Sequence, residues 1–212
     1  MDAQKIYLNK MSEAVARIGA SEEFLESFRK TGSVPMLEAS VLQMRKALEC
    51  VAYAAIAPNK NSYERFRKQA ESPADYRKDY NAKSIFTNLS KINPDFYPSP
   101  LLPAIQLAPG RWHYDQKSDG FLTKKRFEAF YDRLGKYLHA DNPWGSNKGV
   151  TNLVTELPTV AAHTKSLLSL HRTIIRAPNL QEVWVVAVPE DGSHPHMIKG
   201  QAFGEFATSA AN

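Results

Sequence analysis

LEASVLQMRKALECVAYAA, from Leu37 to Ala55, decides the fold. Leu37, Val41, Met44, Leu48, Val51 and Ala55 recur at intervals of three and four, the spacing that places apolar side chains along one stripe of an α-helix. Alanine enrichment supports the same conformation, because alanine has no side-chain entropy to lose. Pro58 is expected to stop this helix.

Working outward towards the N-terminus, Asp2 to Ile18 carries Ile6, Met11, Ala14, Val15 and Ile18 at roughly helical spacing. Ser21 followed by Glu22 and Glu23 reads as a cap with acids in the first turn, predicting a second helix to Lys30. Thr31-Gly32-Ser33 closes it. Beyond Pro58, Asn61 with Glu64 three residues on resembles a capping box. Ser72-Pro73-Ala74-Asp75 repeats that arrangement, with proline suited to a first helical turn. Ala82 to Ile92 is expected to form another short helix. Asn93 to Gly110 holds Pro94, Pro98, Pro100, Pro103 and Pro109, so it reads as an ordered loop packed by Phe96, Tyr97, Leu101 and Leu102. Arg111 to Tyr114 reads as a short strand.

Thr123 opens a helix to about His139, with Phe127, Phe130, Leu134 and Leu138 as its apolar stripe. A last helix is expected from about Thr151 to Ile175, bent near Pro158. Val183 to Val188 then reads as a β-strand, and Met197 to Phe206 as its return across the turn Glu190-Asp191-Gly192-Ser193. Such a two-stranded ribbon is not stable alone and must pack on the helices. The expected fold is mainly α, a helical bundle over 1–180 with an irregular proline-rich insertion at 93–110. A β-hairpin tail over 181–212 packs on the same domain.

Composition narrows the function classes. The 212 residues are 43% hydrophobic, enough for one sizeable core, and the formal net charge is +5. That sign suits contact with polyanions, though many enzymes share it. The single cysteine, Cys50, rules out an intrachain disulfide framework and sits among apolar neighbours as a buried hydrophobe. No apolar run reaches bilayer-spanning length and no signal-peptide pattern stands at the N-terminus, which leads us to expect a cytoplasmic protein without membrane contact. No phosphate-binding glycine loop, nucleophile elbow or dinucleotide fingerprint occurs, so no cofactor is expected. His194-Pro195-His196 could ligate a metal but has no acid or cysteine at suitable spacing, so no metal site is expected either. His163 and His171, about 80° apart around a helix, read as a rim or core pair. Arg111-Trp112-His113-Tyr114 and the stretch from Tyr63 to Lys83 interleave bases with aromatics, as RNA contact or a solvated face would.

Arg133 and His139 carry the strongest chemistry. An arginine neutralises phosphate through a bidentate fork, and a histidine moves protons near neutral pH. Together they could cleave RNA without a metal. On an ideal helix, six residues place them about 120° apart, so convergence needs the helix to give at Gly135 or at its end, or needs two subunits. Arg45 and Glu49, four apart on the strong helix, can bridge each other.

Arg45-Lys46-Ala47-Leu48-Glu49, followed by Arg133-Leu134-Gly135-Lys136-Tyr137-Leu138-His139-Ala140-Asp141, resembles the HEPN superfamily, whose motif is an arginine, four to six residues, then a histidine near a helix end. The resemblance covers mainly 33–57 and 122–142. It implies a HEPN-like helical bundle that acts on RNA as a metal-independent endoribonuclease. Two subunits of a homodimer would juxtapose their Arg133 and His139 pairs in one cleft. Arg133 and His139 are then the catalytic residues, and Arg45, Glu49, Lys136, Asp141 and Asn142 the binding residues, with Glu49 orienting Arg133 or Arg45. Members occur in toxin–antitoxin and phage-defence systems, so a cognate antitoxin or defence partner is implied too. Many members are non-catalytic, which makes a binding or regulatory module the second reading. An unrelated helical domain with a small-ligand pocket is the third.

Overall fold

The computed structural model describes residues 2–70, 75–140, 144, 150–177 and 180–201. Helix α1 runs from Ala3 to Thr31 and α2 from Val34 to Lys68, joined by two residues. Asp2 caps α1 by accepting from the Gln4 backbone N–H, and Gly32 ends it at φ 68°, a left-handed turn that favours glycine. Tyr7, Met11, Ala14, Val15, Ile18 and Leu25 are buried along α1 against Leu37, Val41, Met44, Leu48 and Val51 of α2. Arg17 reaches Gln43 across the antiparallel pair.

Two expected breaks do not occur. Ser21 caps nothing: it is buried in mid-helix, where its hydroxyl donates to the Ser40 carbonyl and the Ser40 hydroxyl donates back to the Ser21 carbonyl, at 2.8 and 2.7 Å. This reciprocal pair satisfies both hydroxyls at the helix crossing, so α1 continues through the acids. Pro58 lies inside α2 rather than after it. In the turn that the proline disturbs, the Asn59 side chain donates to the Ala55 carbonyl at 3.0 Å. Asn61 is therefore an interior residue of α2, not a cap. The far end of α2 is tied down by Asp79, which accepts from the Tyr63 hydroxyl and from two Arg67 nitrogens. A single 3-10 turn, Tyr76–Lys78, precedes it. The expected helix start at Ser72 falls outside the described residues, apart from Asp75, which caps this turn.

Helix α3 spans Ala82–Ile92, as its sequence predicts, with Asn81 accepting from the Ser84 N–H. The proline-rich segment is ordered by its aromatics. Phe96 and Tyr97 pack with Phe86 of α3, Tyr97 also meets Phe127, and the Tyr97 hydroxyl donates to the Leu122 carbonyl. Leu102, expected in that packing, is exposed. The segment is less irregular than its prolines suggest: it supplies β1 (Ser99–Pro100) and β2 (Ile105–Ala108), the latter paired with β3 (Arg111–His113). Pro100 stands on an edge strand, where a missing donor is tolerated. The β2–β3 ribbon projects Ile105, Leu107 and Trp112 into solvent.

Helix α4 is Lys124–Leu138 and α5 is Val150–Ser169. Helix α5 ends earlier than expected. At Leu170 the chain passes without a loop into β4 (Leu170–Ala177), whose Thr173-Ile174-Ile175 run is β-branched. Strands β5 (Leu180–Ala187) and β6 (His196–Gln201) follow, completing an antiparallel sheet of order β1-β4-β5-β6. The expected two-stranded tail is thus the outer part of a four-stranded sheet that begins ahead of residue 181. Trp184 and Val186 face the core, where Tyr7 meets the Trp184 ring edge-on at 5.7 Å.

Two buried polar devices anchor this sheet. Asn93 donates to the Ile174 carbonyl at 2.7 Å and to the Asn59 amide oxygen at 3.1 Å, joining α2 to β4. His171 receives the Tyr7 hydroxyl at Nε2 (2.8 Å) and donates from Nδ1 to the Leu168 carbonyl. Both ring nitrogens are engaged in the neutral form, and burial pushes the imidazole down to about 4. The described residues are therefore mainly helical, with a four-stranded sheet and a separate two-stranded ribbon. Among the described residues no helix is long and apolar enough to cross a membrane.

Candidate functional site

Thr123 caps α4 through the Arg126 N–H, and Phe127, Phe130, Tyr131, Leu134 and Tyr137 bury one face of the helix. That burial fixes the rotation. Lys125, Arg126, Ala129, Arg133 and Lys136 consequently form the exposed face. Leu134, directly after the motif arginine, is wholly buried in this packing.

The two arginines of the motif region lie on different sides of α4. Arg45 of α2 lies on the side of Tyr131 and Gly135. Its guanidinium stacks 3.9 Å from the Tyr131 ring centre and donates to the Tyr131 carbonyl (3.0 Å) and hydroxyl (2.7 Å). Glu49 closes the cluster, accepting from the Tyr131 hydroxyl at 3.0 Å and pairing with Arg45 at 3.4 Å. Burial, then the neighbouring Glu49 charge, pushes the Tyr131 phenol up to about 12. Of the two arginines that Glu49 could orient, the structure joins it to Arg45. Arg133 is about 200° around the helix from Tyr131, so Arg45 and Glu49 do not border it.

Arg133 meets α5 instead. Both terminal nitrogens of its fork engage Glu156, with Nη2 donating to Oε1 at 3.0 Å, and the guanidinium lies 5.6 Å from the Phe130 ring. The arginine side chain remains 43% exposed. His139 is the C-cap of α4 and is exposed, with extended backbone at φ −77° and ψ 151°. The helical phase therefore ends before it, so the angle expected from an unbroken helix does not apply to this pair. Lys136 is exposed between them. Asp141 and Asn142 lie outside the described residues.

A second contact joins the same two helices. Arg126 Nη1 donates to His163 Nδ1 of α5 at 3.0 Å. An arginine has only donors, so Nδ1 accepts and the ring proton resides on Nε2. Glu156 and His163 were not legible as partners of α4, because nothing local in a sequence states which helices become neighbours. His163 and His171, expected as a pair, are parted: one stands beside Arg126 and the other is buried beneath the sheet.

Other candidates are placed as follows. Cys50 is buried and its thiol is pushed up to about 11, chiefly by that burial, consistent with a packing role. Arg111 and Trp112 are exposed on the ribbon, and His113 pairs with Asp115 at 3.0 Å. Among the described residues no three His, Cys, Asp or Glu side chains gather as a metal site would require. Comparison of the chain with known protein families, curated proteins and solved structures finds no match.

Proposed function

We propose that this chain is a HEPN-like, metal-independent endoribonuclease that acts as a homodimer, with Arg133 and His139 as its catalytic residues. One observation supports this reading: an exposed arginine and an exposed histidine stand towards the C-terminal end of one helix, with His139 taken out of helical phase by its extended backbone. In the reaction, one imidazole takes the proton of the ribose 2'-hydroxyl as its oxygen attacks phosphorus. Arg133 neutralises the charge of the phosphorane. The 5'-oxygen leaves with a proton from a second imidazole, that of His139 of the partner subunit, and a 2',3'-cyclic phosphate remains.

A specific observation favours the second reading, a non-catalytic binding module. The fork of Arg133 that a phosphate would occupy is engaged by Glu156. The deciding experiment is cleavage of a mixed RNA pool in EDTA, wild type beside His139→Ala, with product ends identified. Cyclic phosphate ends from wild type alone support the enzyme. Binding without cleavage by the folded wild type supports the module.

A further inference from the structure

On the exposed face of α4, Lys125, Arg126 and Lys136 meet no carboxylate among the described residues. The acids of this helix are spent elsewhere: Glu128 pairs with Lys124 and Asp132 with Lys83. Arg126 and Arg133 are seven positions apart, which puts them within about 20° of the same direction and about 10 Å apart along the axis. With that rise, and with one guanidinium drawn to His163 and the other to Glu156, the two arginines offer separate positions for an anion. Between them stands only Ala129, whose methyl group leaves the face open.

Arg126 differs from an ordinary surface cation. Its contact with His163 holds the guanidinium between the two helices and orients the imidazole with Nε2–H outward from the shared bond. Both groups then offer N–H donors beside one another, and among the described residues neither is paired with an acid. The exposed positions of α4 hold no large apolar side chain. A protein partner would need such an anchor at the centre of its interface. A nucleic-acid strand held by its backbone does not.

We propose that Arg126 and His163 form a second phosphate-binding site, which holds a neighbouring phosphodiester of the same single-stranded RNA whose scissile phosphate lies at Arg133. This rests on the reading of α4 as an RNA-acting surface. Lys125 extends the track towards the N-terminal end of the helix and Lys136 towards His139.

The test is fluorescence anisotropy of the full chain with a 5'-labelled, fully 2'-O-methylated single-stranded RNA, which binds but cannot be cleaved, over a range of salt concentrations. Arg126→Gln is expected to weaken binding about tenfold and to lower the slope of log affinity against log salt by about 1. Lys60→Gln, which removes an exposed cation from α2, is expected to change neither. His163→Gln, which keeps a donor without the imidazole, is expected to weaken binding less than Arg126→Gln. Equal behaviour of the Arg126 and Lys60 variants overturns the site, as does polyglutamate binding with the same dependence on Arg126. Cleavage of unmodified RNA separates the two claims. Activity that needs His139 while Arg126→Gln binds normally removes the second site alone. Binding that depends on Arg126 without cleavage removes the catalytic reading alone.

Discussion

Arg45 lies in a notch that Gly135 leaves open on α4: a Cβ at position 135 would stand 2.5 Å from Arg45 Nη1 and 3.4 Å from its central carbon. The glycine serves a close approach between α2 and α4, because the guanidinium needs that space to reach the Tyr131 carbonyl and hydroxyl.

Gly135→Ala therefore sets two effects against each other. Alanine gains about 1 kcal/mol of helix propensity, but it displaces a guanidinium whose hydrogen bonds contribute roughly 1–3 kcal/mol. A net loss of about 1 kcal/mol is expected by urea denaturation. In an Arg45→Ala background the same substitution is expected to stabilise by about 0.5–1 kcal/mol, and an unchanged sign there would show that the notch is not the reason for the glycine.

The second prediction concerns Glu156. Glu156→Gln leaves the Arg133 fork without its charged competitor, so RNA affinity is expected to rise about threefold to tenfold, read by the same anisotropy assay. Loss of affinity would instead make Glu156 a positioning residue for Arg133.

Protonation of His171 supplies a pH dependence with a definite sign. Its value is about 4 in the folded protein against an ordinary 6.5, so between those pH values the unfolded chain binds a proton that the folded one does not. The stabilising contribution is present above about pH 6.5 and is lost as pH falls towards 4. Tyr7 faces the ring and stays a neutral donor throughout, since burial raises its phenol well above the ordinary range. Comparison of urea midpoints at pH 7 and pH 4.5 is expected to show a loss on the order of 2–3 kcal/mol, and His171→Gln is expected to shrink that difference.

Cys50 provides a readout of opening between α1 and α2. A buried thiol with its value near 11 is expected to react with a disulfide reagent only on unfolding, at least a hundredfold more slowly in native buffer than in denaturant. Rapid native labelling would mean that the helix pair opens locally.

The elements legible in the sequence are those whose signals are local. Asn81 and Thr123 start helices where their side chains find backbone N–H groups, and the stripe from Phe127 to Leu134 faces inward as its spacing predicts. The misread elements had local signals overruled by distant partners. Ser21 looks like a cap until Ser40 is beside it, and Pro58 looks like a stop until Asp79 is found holding Tyr63 and Arg67 of the helix beyond it. Between Leu168 of α5 and Ile174 of β4 the chain holds neither proline nor glycine, so no punctuation marked the change of period. At the candidate site, the position of Arg133 and His139 at the end of α4 was readable. The carboxylate on Arg133 and the imidazole on Arg126 were not, since both come from α5. Gly135 was read as a point where the helix could yield, whereas it is a seat for Arg45.

The passage from Ser169 to Leu170 without an intervening loop makes α5 and β4 a single lever. Its fulcrum is set by the bond from His171 to the Leu168 carbonyl and by that from Asn93 to the Ile174 carbonyl. Its working end presents Glu156 and His163 to α4. A disturbance beneath the sheet is therefore expected to reach α5 as a rotation and to show at its two contacts with α4. Loosening His171 or Asn93 would detune the spacing of the two arginine contacts well before the chain unfolds.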